Sequence, residues 1–308
     1  MINSICLNEK YSTTRILTDK KTEIVTCSED KFETVLFLPV KKNRIGEGGL
    51  RTKNYFKKSF KNKPLISIIT VVYNGEKYLE KTIQSIINQT YNNVEYIIID
   101  GGSTDGTLDI IKKYEDKIDY WVSEKDKGIY DAMNKGIQVS QGEIIGIVNA
   151  DDYLYLDTIL SISDLYCKYQ FNYTYGTLDC IDESGNKLYE ISSIGINNIK
   201  YKIFKHMPYL HPTMFVSKHV YEEIGIYNTI YRLSADYDFV LRLIENNYKG
   251  VELSFKTGCF RVGGVSGGIE TIKENYDLLL EHKQSFLLVW LNSIILTLKL
   301  KIRMYRKI

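Results

Sequence analysis

The chain has 308 residues, 44% hydrophobic, 25% charged and 12% aromatic, which leaves room for a sizeable core in one large α/β domain or two modest ones. Its formal net charge of +2 is too small to argue for nucleic acid as the main partner. Five scattered cysteines (Cys6, Cys27, Cys167, Cys180 and Cys259) form no C-x-x-C pair, which speaks against a disulfide framework or a zinc site and for a reducing compartment.

Residues 1–63 read as an irregular N-terminal extension. The start, MINSICLNEK, has no apolar h-region, so no secretory signal is expected and the protein reads as cytosol-side. One strand-like stretch, ETVLFLPV (33–40), precedes a basic, glycine-bearing segment, KKNRIGEGGLRTKNYFKKSFKNK. That segment is either a solvated linker or a binding arm for phosphate or anionic lipid.

From Pro64 the texture becomes alternating strands and helices. LISIITVVY (65–73) is a β-branched apolar run, as expected of a strand buried on both faces. GEKYLEKTIQSIINQ then places Leu79, Ile83, Ile86 and Ile87 on one helical face. VEYIIID (94–100) predicts a second buried strand, and DGTLDIIKKYED a helix with Asp105 as its cap. IDYWVS (118–123) is a third strand. KGIYDAMNKGI sets Ile129, Met133 and Ile137 at helical spacing, and EIIGIVN (143–149) is a fourth strand. This order predicts right-handed crossovers and a mostly parallel sheet with helices on both faces, a Rossmann-like α/β fold.

Beyond 152, YTYGTLDCIDESGNKLYEIS (173–192) predicts two strands around a turn, and SKHVYEEIG (217–225) and SADYDFVLRLIENN (234–247) predict helices. The last stretch, SFLLVWLNSIILTLKLKIRMYRKI (285–308), has an uncharged core too short to span a bilayer, which takes about 20 residues. As a helix it gathers Asn292, Lys299, Arg303 and Arg306 opposite Trp290, Leu291, Ile294, Leu298 and Ile302. An amphipathic basic helix with a tryptophan reads as a membrane-surface anchor; the alternative is packing on the domain or on a partner subunit.

Ligands of open α/β sheets bind at the carboxyl ends of the strands, where chain order reverses. Those ends are here Tyr73-Asn74, Asp100-Gly101-Gly102, Glu124-Lys125-Asp126 and Asn149-Ala150-Asp151-Asp152. GGSTDGT fits neither common phosphate-binding glycine motif. So acidic a rim would repel a bare diphosphate unless a hard divalent cation bridged the carboxylates to it. Asp151 and Asp152 are therefore read as holding Mg²⁺ or Mn²⁺ with a nucleotide diphosphate; the alternative is that they cap the following helix.

ISIITVVYNGEKYLEKTIQSIINQTY, YIIIDGGSTDGT and NADD, in that order and spacing, resemble the nucleotide-binding half of the family 2 glycosyltransferases, inverting enzymes of the GT-A fold. The likeness spans about 64–265, as a nucleotide-binding half (64–152) and an acceptor half (153–268), followed by a helical tail (269–308). It implies a nucleotide site of Thr70, Val72, Tyr73, Asn74, Asp100, Gly102, Asp126, Asn134, Ala150 and Asp151. The family's D-x-D motif falls on 149–151 with Asn149 in the first slot, so Asp151 becomes the direct metal ligand and Asp152 its support. AMNKG keeps Asn134 and Gly136 of the A-R-N-x-G pattern but lacks its arginine. SADYDFVLRL matches the helix opening that carries the catalytic base, without the family's glutamate. That implies Asp236 as base and Asp238 as reserve; either is otherwise a first-turn charge. YLHPTMF places His211 toward the acceptor, or as a structural histidine. FRVGGVSGG, with Ser266 and with Arg261 read as an acceptor-side residue, is a mobile lid over the donor or an ordinary flexible loop.

The implied function is transfer of a sugar from a nucleotide-diphosphate donor, a UDP-sugar, to a hydroxyl of a lipid-linked or growing cell-surface polysaccharide. The protein would lie at the inner face of the membrane. The alternatives are a sugar nucleotidyltransferase, which would want a triphosphate loop that VVYNGEKYL does not supply, and a non-catalytic sugar-nucleotide or glycan-binding partner.

Overall fold

The computed structural model describes residues 4–6, 16–18, 34–195, 203, 206–263 and 268–305. Most of 1–33, Ser266 of the glycine-dense loop and Arg306 of the tail lie outside the described residues. Strands β1 (Ser4–Cys6) and β2 (Ile16–Thr18) pair antiparallel with each other.

The predicted alternation forms as β4 (Ile66–Val72), α1 (Leu79–Ile87), β5 (Val94–Asp100), α2 (Thr107–Lys113), β6 (Tyr120–Glu124), α3 (Ile129–Val139) and β7 (Ile144–Ile147). These four strands are parallel and lie in the order β6-β5-β4-β7. The chain steps outward from β4 to β6 and then crosses back to the other side of β4, so order reverses beside the β4 tip. Every residue of β4, β5, β6 and β7 is buried, as expected of parallel strands covered on both faces. Leu79, Ile83, Ile86 and Ile87 of α1 pack on one face with Ile66, Ile68 and Val72. Met133 and Ile137 of α3 pack on the other with Ile69 and Val71. Ile129, expected on that stripe, is 46% exposed; Tyr130 is buried in its place.

The second half of the chain continues the sheet. β8 (Tyr153–Leu154) and α4 (Thr158–Tyr169) lead to the predicted hairpin, β9 (Tyr173–Ile181) and β10 (Lys187–Ser192). β11 (Phe215–Ser217), α5 (Lys218–Ile224) and α6 (Ala235–Glu245) follow, then the long β12 (Gly250–Arg261), which the sequence reading did not predict. β11 runs antiparallel between β7 and β9, and β12 is parallel to β9. The carboxyl ends of β7, β9 and β12 therefore emerge on one edge with those of β4 and β5.

Two N-terminal expectations are corrected. The described part of ETVLFLPV, 34–40, forms no strand: Val35 N–H donates to the Gln138 carbonyl (2.8 Å), Leu38 N–H to the Tyr120 hydroxyl (3.2 Å), and Leu36 carbonyl accepts from Arg51 (2.9 Å). The edge place is taken by β3 (Arg44–Gly48), antiparallel to β6. The basic segment is no solvated linker either, because four of its nine basic side chains are paired with acids of β5, β6 and the residue preceding β6. Arg51 pairs with Glu95 (2.6 Å), Lys57 with Asp119 (2.6 Å), and Lys41 and Arg44 with Glu124 (2.7 and 3.1 Å).

At the C-terminus α7 (Ile269–Glu281) and α8 (Phe286–Tyr305) pack together. Val289, Asn292, Ser293 and Leu296 of α8, spaced as one helical face, line a small cavity with Tyr237 and Leu279. The opposite face, with Leu291, Ile294, Leu298 and Ile302 and with Trp290 at its border, is exposed. Among the described residues no helix is long and apolar enough to cross a membrane.

Candidate active site

β5 and β7 flank β4, so the two strands from which the acidic stretches leave run about 10 Å apart, two strand spacings. The β4 and β7 exits also touch: a Cβ on Gly75 would lie 3.6 Å from that of Ala150. Thr82 of α1 pins the β7 exit by donating to the carbonyls of Ala150 (2.8 Å) and Asp152 (2.7 Å).

Asp100 is fully buried and turned into the tip it closes. It accepts from the Ser103 main-chain N–H (3.1 Å), Ser123 Oγ (2.5 Å), Gly102 N–H (3.3 Å) and the Ser103 hydroxyl. Gly102 makes this turn with a φ of 84°, a left-handed conformation suited to glycine. The Asp126 carboxylate lies against Gly101, 2.5 Å from where a Cβ would stand, so that glycine makes room for it. Burial pushes Asp126 above the usual carboxylate range, with Asp100 adding repulsion.

Tyr73 is 65% exposed at the β4 tip, and Asn74 adopts a φ of 50° while its Oδ1 accepts from Thr104 N–H (2.8 Å). Val72 is buried, its carbonyl taken by Gly101 N–H (2.8 Å). Two members of the expected nucleotide set make their side-chain contacts within the protein. The Thr70 hydroxyl is fully buried against the Tyr96 hydroxyl (3.1 Å). Asn134 spends both amide atoms on the Tyr227 main chain (2.8 and 2.9 Å).

At the β7 exit the two carboxylates differ. Asp152 is buried, accepting from Arg261 N–H (2.9 Å) and Asn149 Nδ2 (3.2 Å), and burial beside Asp151 raises it to about 7. Asp151 is half-buried, and desolvation pushes it up with Arg261 only partly offsetting the cost. Asn149 Oδ1 is buried without a hydrogen-bond partner. Asn149 thus offers an oxygen that the protein leaves unused, on the same loop as the desolvated Asp151, while Asp152 is engaged by Arg261 and Asn149. Among the described residues no three His, Cys, Asp or Glu side chains gather as a metal cage. Arg261 is not free for an acceptor: its guanidinium donates to the carbonyls of Asp151 (3.3 Å), Glu183 (2.9 Å) and Asp182 and lies over the Tyr78 ring (4.0 Å).

Asp236 opens α6, half-buried, and accepts from the Tyr130 hydroxyl (2.8 Å). His211 Nε2 meets the Tyr227 hydroxyl at 2.9 Å, and burial lowers the imidazole's pKa while the Asp236 charge opposes that. Pro212, next in the chain, lines a small cavity with Ile147 and Val148 at the β7 end, which brings this cluster beside the strand tips. Asp238 stands apart. Arg242 takes Oδ2 (2.8 Å) and His282 takes Oδ1 (3.0 Å), so both oxygens of the reserve base are engaged within the protein. The sequence reading missed Tyr130 and assigned His282 nothing. Only a tyrosine preceding the Asp131-Ala132 step stood as a signal for the first.

The family model described as glycosyl transferase family 2 matches residues 67–225, about half of the chain. The chain belongs to this family. A family 2 glycosyltransferase is thus what the strand-tip motifs and the α/β fold jointly describe. A Methanocaldococcus jannaschii protein described as an uncharacterized glycosyltransferase is 32% identical over 205 residues, 61% of this chain and 67% of its own. A PGL/p-HBAD biosynthesis glycosyltransferase of Mycobacterium tuberculosis is 32% identical over 188 residues, 59% of this chain and 71% of its own. A Rickettsia conorii glycosyltransferase, also 32% identical, is matched over 31% of its length, so this chain spans about a third of that relative. Among solved structures, S. aureus TarS residues 1–349 in complex with UDP superposes with a TM-score of 0.56 at 18% identity, covering 73% of this chain and 69% of that one. The mannosyltransferase PcManGT from Pyrobaculum calidifontis, in complex with GDP-Man and Mn²⁺, gives 0.52 at 18% identity over 73% of this chain and 64% of its own. These likenesses concern the fold.

Proposed function

We propose that this family 2 glycosyltransferase moves a sugar, with inversion, from a nucleoside diphosphate donor, UDP-linked, to a hydroxyl of a lipid-linked or growing surface polysaccharide. The observation that carries the reading is the β7 exit: a desolvated Asp151 carboxylate two residues after an unpartnered Asn149 Oδ1, leaving the strand that lies across β4 from the one ending in Asp100. That pair fits a hard divalent cation, which keeps waters and binds through one or two protein oxygens plus phosphate. When bound there, Mn²⁺ or Mg²⁺ supplies charge for the departing diphosphate. Tyr73, Asn74 and the Gly101-Gly102 backbone are offered to the nucleoside, and Asp126 to the donor sugar side.

Chemistry then falls to this chain's own residues. The acceptor O–H proton passes to Asp236 as the oxygen's electron pair forms the new bond to the anomeric carbon. The bond from that carbon to the phosphate oxygen breaks, and its electrons leave with the diphosphate. The named complexes of UDP and UDP-GlcNAc with TarS and of GDP-Man with PcManGT support a nucleotide-sugar donor. The exposed apolar face of α8, flanked by Lys299 and Lys301, supports contact with a membrane surface that presents the acceptor.

Calorimetric titration of UDP with and without Mn²⁺ tests the reading. Wild type is expected to gain affinity with the cation and Asp151→Ala to lose that gain. Equal affinities in the two proteins would remove the metal site.

A further inference from the structure

Both hydrogen bonds to Asp236 fall on one oxygen. Tyr130 Oη donates to Oδ1 at 2.8 Å and the Tyr237 main-chain N–H to the same atom at 3.0 Å, while Oδ2 has no partner among the described residues. A carboxylate held this way has lost its rotational freedom and keeps one oxygen available for a proton. The tyrosine is itself held: its ring is buried and lies 5.7 Å from that of Tyr227, whose main chain is clamped by Asn134 of the same helix. Burial, with the Asp236 charge adding to it, keeps the phenol protonated well above its ordinary range, so it stays a donor.

Tyr130 also connects the two halves of the site. One helical turn before it, Asp126 lies on Gly101 at the β5 tip and accepts from Gly128 N–H at 3.0 Å. A single short segment, Asp126–Tyr130, thus touches the donor rim at one end and the base at the other. We propose that Tyr130 is a positioning residue of the transfer reaction. It turns the Asp236 carboxylate so that Oδ2 faces the acceptor hydroxyl, and it ties that orientation to the donor loop. This rests on Asp236 being the base and deepens that reading.

The test is Tyr130→Phe in the full chain, which keeps the ring and removes only the donor. Turnover is followed against pH with water as acceptor, using the nucleotide sugar hydrolysed fastest in a panel of UDP- and GDP-sugars with Mn²⁺, and UDP affinity is titrated in parallel. Loss of a hydrogen bond to the charged form raises a carboxyl's pKa. The acid limb of the profile should therefore move up by about one pH unit, with kcat down about tenfold and UDP affinity unchanged. An unmoved acid limb, or a matching loss of UDP affinity, would make Tyr130 mere packing and overturn the proposal. Asp236→Asn is run beside it: near-normal turnover there sinks the base itself. Collapsed turnover there, with an unmoved limb in Tyr130→Phe, sinks only the role of Tyr130.

Discussion

Lys57 and Asp119 form a 2.6 Å ion pair from which water is excluded on both sides. Asp119 also accepts from Tyr96 N–H (2.7 Å), so one carboxylate ties the N-terminal segment to β5 at the sheet's flank. Removing one member of a buried pair leaves the other charge uncompensated, which costs about 3–5 kcal/mol. Lys57→Met is expected to lower the free energy of unfolding by that amount, read as a lower urea midpoint at unchanged slope, and to leave the shape of the folded-state circular dichroism spectrum intact. A midpoint within experimental error of wild type would show the segment to be dispensable for the sheet.

Arg261 provides a second prediction. Its guanidinium bridges the β7 exit to the β9–β10 turn through the Asp151, Asp182 and Glu183 carbonyls, and its N–H holds Asp152. Lysine cannot reproduce that fork. Arg261→Lys should destabilise the fold by about 2–3 kcal/mol, within the range for hydrogen bonds to a charged group. It should also weaken Mn²⁺-dependent UDP binding about tenfold, because the loop bearing Asp151 loses its brace. Unchanged UDP affinity with lowered stability would confine Arg261 to folding.

β4, β5 and β7 were legible because each is rich in isoleucine and valine, β6 because Tyr120-Trp121-Val122 suits a strand, and α1 because its stripe repeats at helical spacing. β3 was not. Arg-Ile-Gly-Glu-Gly has little intrinsic strand preference, and it pairs because Gly46 and Gly48 let the backbone lie on the Trp121 ring, where a Cβ would come within about 3 Å. ETVLFLPV shows the converse: good strand composition whose backbone groups find partners off the ladder. At the site, Asp100 and Asp151 could be placed from strand ends alone. The roles of Thr70, Asn134 and Asp238 could not, since each is set by a partner remote in sequence or on another element: Tyr96, Tyr227 and His282. Tyr130 was hidden for the same reason, 106 residues from Asp236.

His282 gives the fold a pH dependence. It closes α7 onto α6 by contacting Asp238 (3.0 Å) and Glu245 (2.8 Å), and the Asp238 hydrogen bond raises its pKa above the ordinary value despite some desolvation. A raised folded-state pKa means that the contribution is complete below about 6.5, the unfolded value, and is lost as pH rises through the folded one. The melting temperature should therefore decline across neutral to mildly alkaline pH. His282→Gln should flatten that decline while lowering the melting temperature at pH 6. A decline of equal slope in both proteins would place the titrating group elsewhere.

The tail yields the last prediction. Val289, Asn292, Ser293 and Leu296 turn α8 toward the body, and this leaves Leu291, Ile294, Leu298 and Ile302 facing directly away from it, with Lys299 and Lys301 to either side. A row of exposed aliphatic side chains on one helix of a protein in water is unfavourable by roughly 25 cal/mol per Å² left wet. An interfacial location would remove that cost, and the lysines would add about 1 kcal/mol each near an anionic surface. The full chain should co-sediment with vesicles containing phosphatidylglycerol and show a blue shift of Trp290 emission. Leu291→Glu with Leu298→Glu, which leaves the packed face untouched, should abolish both. Equal sedimentation of the double variant would assign the exposed face to another partner.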